Sequence, residues 1–393
     1  MSSSGDALET LNAVITNALA LISQLEAGVS NAASRNHVDN GSEAGTATQQ
    51  LVADNVSLDA LSLAHDSATL IKAHATKISL LIINEPFTPT AITKVIRELV
   101  ASPVPSLAAA AQVCTPERYT RAVQEDLAWR VGRVLKELKD LLSQIPSDGK
   151  VLSDAKRNAS AGAVGGRGSI VTTGVLWSAC DDVMAFSRRG FAGNLAYKVE
   201  QLRDTLKDIM EELKEWGEET EDDEDDEDDD EEDDDDVAQV TSNLESTSIS
   251  ATRDAQDILD DLMSSQQHIP RDDPDKIRER LESCLKRLRL TTLLYQATAK
   301  RRIKPLPHVP SASVSDIPAR LDEVMFLLKR IPERFGSLAL AFYELEPSEI
   351  DRLMDECFFD AFAASELLAK PWGSEKDEFT DWALRFQVEI KKG

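Results

Sequence analysis

Between Glu218 and Asp236, nineteen consecutive residues contain eighteen carboxylates, interrupted only by Thr220. Like charges at this density repel one another and no apolar side chain is present to bury, so the run is expected to stay disordered. It sits near the middle of a 393-residue chain, directly behind a strongly periodic helical stretch. It divides the protein into two helical halves and gives it a strong local negative field. The run holds 18 of the charges behind a formal net charge of −27, which leaves the remainder only about nine units acidic. The expectation is an ordinary helical body carrying an acidic tether.

Apolar residues make up 42% of the chain, enough for sizeable cores in two or three domains. Aromatics are scarce, while Leu, Ala, Glu, Asp and Lys dominate, which favours helix bundles over sheets. The acidic balance disfavours direct contact with nucleic acid or anionic membrane, since both would repel it. Cys114, Cys180, Cys284 and Cys357 are far apart, form no C-x-x-C pair and fall among apolar neighbours, so reduced core thiols are expected. Met1 to Thr10 has neither a basic nor an apolar leader region, and no uncharged apolar run approaches about 18 residues. The chain reads as soluble, and cytoplasmic or nuclear.

Helical spacing recurs throughout. Leu8, Leu11, Ile15, Ala18, Ile22 and Leu25 mark a first amphipathic helix, and a second is expected from about Ser57 to Ile83. The polar stretch between them, Asn31 to Thr48, reads as a loop. Thr88-Pro89 and Thr115-Pro116 each read as an N-cap followed by proline at the first helical position, starting a third and a fourth helix. A further helix is expected from about Ile170 to Phe186, ended by Gly190. Beyond the acidic run, helices are expected at Ala251 to Gln266 and from Asp273-Pro274 to about Arg302. Three more follow a proline-rich linker, over Asp316 to Ile331 and onward past Pro332, Pro347 to Lys370, and Glu375 to Lys391. Sustained period-two alternation is lacking. The expected fold is all-α, with two antiparallel bundles of long amphipathic helices and no sheet. The expected divisions are 1–217, an acidic linker 218–245, and 246–393, whose helices can pack back on the first bundle.

The most regular pattern is Leu195, Val199, Leu202, Leu206, Ile209, Leu213 and Trp216, which alternates steps of four and three. It forms a narrow apolar seam about 33 Å long at ~1.5 Å per residue. Such a seam either packs in the protein's own core or is offered to a partner helix. The reading adopted here is core for Leu202, Leu206 and Ile209, with partners meeting polar faces and bundle ends. The cluster Lys300, Arg301, Arg302 and Lys304 has three readings: cations placed to suit a helix C-terminus, a nuclear-import signal, or a mate for the acidic run.

Catalytic signatures are absent from the sequence pattern. The Gly162–Ser169 stretch lacks the Gly-Lys-Ser/Thr ending of a phosphate loop. His37, His65, His74, His268 and His308 include no H-x-x-x-H pair. Asp260-Asp261 resembles half of the D-D-x-x-D magnesium helix of all-α isoprenoid synthases, but position five is Ser264; Asp181-Asp182 likewise lacks its fifth residue. No cofactor or metal is expected, and no enzymatic activity.

The stretch Val175-Leu176-Trp177-Ser178-Ala179-Cys180, the break at Gly190 and the helix Leu195 to Trp216 running into an acidic segment together resemble the GCIP family, the Grap-and-cyclin-D-interacting proteins. The Pro86-Phe87-Thr88-Pro89 turn follows in compatible order, and the second half matches mainly around Arg320-Leu321-Asp322-Glu323. The resemblance implies an all-α protein that binds D-type cyclins and helix-loop-helix regulators, restrains cell-cycle progression, and occurs in nucleus and cytoplasm. It also implies a helix-loop-helix-like character without a DNA-contacting basic region, consistent with only Arg188-Arg189 preceding the seam. The function expected is a non-enzymatic scaffold that sequesters or bridges regulatory proteins, with no direct nucleic acid and no membrane among its partners and a monomer as its state. The rivals are a vinculin/catenin-like bundle adaptor, a chaperone of basic proteins acting through the acidic run, and, remotely, a degenerate isoprenoid synthase.

Overall fold

The structure, a computed structural model, describes residues 2–34, 58–158, 167–218, 268–307, 316–372 and 377–392. Among these residues every regular element is helical and no strand occurs, as the periodicity predicts. The acidic run beyond Glu218, the expected helix at Ala251 to Gln266, the loop from Arg35 and the Gly162–Gly166 stretch lie outside the described residues. The chain divides into two compact units, Met1–Ala196 with Ile303–Asp322, and Tyr197–Arg302 with Glu323–Gly393. The expected boundary at residue 217 thus lies inside the second unit, and the segment 303–322 counts with the first.

In the first unit α1 (Ser2–Ser34), α2 (Ala60–Ile83), α3 (Pro89–Ala101), α4 (Pro103–Val113) and α6 (Arg121–Ser143) pack around a common core. Within α1 the stretch Gly5–Asn31 is long and apolar enough, by length and composition alone, to cross a membrane. Here it packs along α3, α4 and α6 and buries Leu11, Ala18, Ile22 and Val29. Asp59 caps α2 by accepting from the amides of Leu61 and Ser62. Thr88 stands at the N-cap of α3 as expected, but its hydroxyl donates to the Pro86 carbonyl and makes no cap bond.

The fourth helix departs from expectation. Thr115-Pro116 starts only the single turn α5 (Pro116–Tyr119), and the chain then passes through Thr120 at φ 71° before α6 begins. The cause is a distant contact. The Tyr119 hydroxyl is buried between the Ala60 amide (3.0 Å) and the Asp59 carboxylate (2.8 Å), which turns the chain out of its helix. Thr120 then accepts from Val123, while Asp322, 201 residues downstream, accepts from the Arg121 amide at 2.9 Å. α4 is not among the expected helices; Pro103 occupies its first turn, where no amide donor is needed.

The short α7 (Asp154–Asn158) precedes α8 (Ser169–Glu218), which is two helices joined at Gly190. Gly190 has φ 69° and ψ −179°, a conformation open essentially only to glycine. The Asn194 side chain donates to the carbonyls of Phe186 and Gly190, both at 2.8 Å, and so satisfies the last acceptors of the first half. The break expected at Gly190 is present, and helix resumes at once beyond it.

The second unit contains the later part of α8, α9 (Ile277–Ala297) with a π-helical continuation Thr298–Ile303, most of α10 (Ile317–Tyr343), α11 (Pro347–Ala369) and α12 (Glu378–Ile390). Asp273 caps α9 through the amides of Ile277 and Arg278. Helix α10 runs through Pro332 without ending. Trp216 packs edge-on to Tyr343, whose hydroxyl donates to Glu212 at 2.8 Å. Gly217 allows a close approach, since a Cβ there would stand 2.3 Å from Leu281 Cδ2 and force that side chain to shift. Asp360, 1% exposed, accepts from Arg330 at 2.8 Å and Arg334 at 3.0 Å, so its buried charge is paired on two sides.

Two glycines of α8 separate backbone need from helix propensity. Gly190→Ala forces a side chain into a strained conformation and is expected to cost about 1–3 kcal/mol. Gly174→Ala, where an added Cβ meets nothing within 4 Å, is expected to be neutral or stabilising by up to about 1 kcal/mol. Denaturant unfolding of both variants checks this, and equal effects at the two positions would contradict it.

Candidate functional site

The seam of α8 is largely interior. Leu195, Val199, Leu206, Leu213 and Trp216 are buried, whereas Leu202 and Ile209 are half-buried. Leu206 thus lies in the core as read from the sequence, while Leu202 and Ile209 keep an exposed edge. The steps of three and four identify a helical stripe, but its burial narrows to every seventh position from Val199 to Leu213, with Trp216 buried beyond.

The first half of α8 presents a different surface. It lies antiparallel between α2 and α6. On the α2 side, Thr69 meets Met184, Lys72 meets Asp181 at 2.7 Å, Trp177 Nε1 donates to Thr76 at 3.1 Å, and Thr173 donates to Ser79 at 3.1 Å. On the α6 side, Arg133 bonds Asp182 at 2.6 Å, Arg130 stacks over Phe186, and Gln144 donates to Thr172. Ala179, Cys180, Val183 and Leu176 fill the core beneath. Above them remain Ile170 (49% exposed), Trp177 (37%) and, across the helix pair, Leu80 (52%). Gly174 leaves open space between Ile170 and Trp177 on this outward side. On α6, Trp129 is 63% exposed, with the guanidinium groups of Arg130 and Arg133 about 6 Å from its ring centre. Large aromatic and branched side chains left in water beside small residues can accept a partner's apolar side chains.

Asp181 and Asp182 turn to different helices, one to Lys72 and the other to Arg133, as neighbours on a helix must. They do not converge on a common ion. Asp260, Asp261 and Ser264 lie outside the described residues. His65 bonds Asp66, and His74 lies 4.0 Å from Glu98 with its pKa lowered chiefly by burial. Among the described residues no His, Cys, Asp or Glu group could hold a metal ion. All four cysteines are buried and free, and burial pushes the thiols of Cys180 and Cys284 up to about 12 and those of Cys114 and Cys357 higher still. Thiols held so far from ionisation are poor nucleophiles.

Of the basic cluster, Lys300, Arg301 and Lys304 are exposed, whereas Arg302 is 1% exposed. Its Nε donates to the Leu368 carbonyl at the end of α11 (2.8 Å), and its terminal nitrogens engage Asp377, the N-cap of α12. The guanidinium lies 4.4 Å over the Phe379 ring, and its backbone carbonyl accepts from Trp372. Arg302 therefore fixes the turn between α11 and α12 and cannot face a receptor. The sequence held a signal for this. Leu281, Leu288, Tyr295 and Arg302 recur every seven residues, so Arg302 continues the buried stripe of α9.

These features define an all-helical protein whose exposed apolar face is set on paired helices. Residues 64–219 match the family model described as Grap2 and cyclin-D-interacting, N-terminal, so this part of the chain is similar to the N-terminal region of those proteins. An uncharacterized protein of Schizosaccharomyces pombe is 28% identical over 160 residues, covering 40% of this chain and 44% of that relative. The chain thus spans less than half the length of that curated relative. The matched interval contains the α2–α8 pair from Ala64 onward, with Trp129 and Trp177.

The Arg302–Asp377 pair yields a pH signature. The guanidinium holds the Asp377 carboxyl down at about 2, below its unfolded value of about 3.9. A depressed carboxyl pKa stabilises the fold at pH values above the unfolded pKa, and that contribution is lost as pH falls through the folded one. Asp377→Ala strands a buried guanidinium and is expected to cost about 3 kcal/mol at pH 7. The difference between wild type and variant is expected to hold from pH 7 to 5 and shrink between about 4 and 2. Urea unfolding across that range checks it; a difference independent of pH contradicts the pairing.

Proposed function

We propose that this protein is a non-enzymatic scaffold that binds regulatory proteins through the outward face of α2 and the first half of α8, with D-type cyclins and helix-loop-helix regulators as its partner class. The observation that carries the reading is the exposure of Trp177 and Ile170 on α8 and of Leu80 on the paired α2, within the interval that matches the cyclin-D-interacting family model. The seam after Gly190 turns mostly inward, which leaves the first-half face as the larger apolar surface of α8. The unreactive thiols and the splayed Asp181-Asp182 pair accord with binding rather than catalysis. Residence in both nucleus and cytoplasm belongs to the same proposal. A nuclear-import receptor reading the basic cluster would meet Lys300, Arg301 and Lys304, with Arg302 withdrawn into the core.

Ile170→Ser and Leu80→Ser test the proposal, because both side chains are about half exposed and contribute little to the core. The double variant is expected to unfold within about 1 kcal/mol of wild type while its affinity for a D-type cyclin falls by about 30-fold or more, the loss of a hot spot. Unchanged affinity would remove this face from the account. Binding that survives the substitutions but disappears between low and physiological salt would transfer it to the acidic run.

A further inference from the structure

The second unit carries a cationic stripe that none of its own described carboxylates answers. On α9, Lys286, Arg289 and Leu293 are exposed on one side of the helix, and Lys300 follows two turns on, seven residues past Leu293. Lys286, Arg289 and Lys300 make no ion pair and no side-chain hydrogen bond among the described residues. The other cations of this helix are engaged: Lys276 with Glu279, Arg280 with Asp351, Arg278 with two carbonyls, and Arg287 with the Ile390 carbonyl. Glu282 and Glu279, the latter paired with Lys276, flank the stripe at the end nearer the helix start. Aligned over about 21 Å of one helix in a chain of net charge −27, these cations form a surface that a carboxylate-rich segment fits.

We propose that this face of α9 is the docking surface for the chain's own acidic segment, Glu219–Asp236. Three observations favour that occupant. The first is charge: seventeen of the eighteen residues in the segment are carboxylates. The second is where the described chain ends before it. Gly217 packs against Leu281, and Arg278 Nη1 donates to the Gly217 carbonyl at 3.3 Å, so the segment leaves α8 directly beside the first turns of α9. The third is reach: eighteen residues extend up to about 60 Å, ample for the stripe from Lys286 to Lys300. Tethering at so short a distance gives an effective concentration in the millimolar range, so weak individual pairs suffice. The segment then acts as a built-in competitor that keeps acidic partners off α9. This inference is independent of the face proposed for α2 and α8.

Zero-length carbodiimide cross-linking of the full chain tests it, since it joins a lysine to a carboxylate only in direct contact. At about 20 mM salt, Lys286 and Lys300 in the monomeric fraction are expected to be linked to residues 219–236, and the links to vanish at about 1 M salt, where screening shortens to about 3 Å. Lys72–Asp181, at 2.7 Å, is the internal control for reactivity. The control link without links from Lys286 or Lys300 to the segment overturns the proposal. Links found only in a dimeric fraction assign the occupant to a second copy and overturn it equally. An added peptide of eighteen glutamates is expected to displace the links only at millimolar concentration. Displacement at micromolar concentration would make an acidic segment of another protein the better occupant. Lys286→Glu with Arg289→Glu is expected to abolish the Lys300 links while the helical circular dichroism is retained; undiminished links would contradict the stripe.

Discussion

The division of α8 into two differently buried halves turns on one backbone residue. Gly190 adopts φ 69°, and the Asn194 amide holds the carbonyls of Phe186 and Gly190 at the end of the first half. The first half of α8 thereby settles between α2 and α6, and the second half begins with a new phase. A continuous helix would carry one apolar stripe across both lengths. Here the first half buries Leu176, Cys180 and Val183 and leaves Trp177 and Ile170 in water, while the second buries Leu206, Leu213 and Trp216. Both halves lie within the matched interval 64–219, yet the first leaves an apolar edge exposed and the second buries most of its seam.

Two buried charges, the Arg302 guanidinium and the Asp360 carboxylate, supply the second organising theme. Arg302 ties the end of α11 to the start of α12, and Arg330 and Arg334 neutralise Asp360 inside the second unit. A lone buried charge would be costly, but here each is matched by an opposite charge and hydrogen bonds, so removing one partner exposes the full desolvation cost of the other. Such pairs fix geometry rather than supply large net stability. With so few aromatic residues in the chain, these arginines also contribute ring contacts, Arg302 over Phe379 and Arg287 over Phe358 at 3.8 Å.

Helical periodicity made the fold class and most helix positions legible, because an apolar stripe has only one way to be buried. What it left out has distant causes. The long helix expected from Pro116 starts instead at Arg121, since Tyr119 is drawn to Asp59 and Ala60 across about sixty residues. Asp322 appeared as a scrap of family resemblance and proves to cap α6. The cluster at Lys300–Lys304 looked uniform by composition, yet Arg302 falls on the heptad of Leu281, Leu288 and Tyr295 and is interior. Trp177 stood within the motif that suggested the family, but a helical pattern alone does not reveal that an aromatic on it faces water.

The central claim is that the outward face of α2 and the first half of α8 receives the regulatory partner. Amide hydrogen exchange of the full chain, with and without a D-type cyclin, reads this directly, because contact slows local opening where it occurs. The account predicts slower exchange in Ala60–Ile83 and in α8 up to Phe186, with α11 and α12 unchanged. Slowing confined to the second unit, or absent from every described helix despite binding, would contradict it.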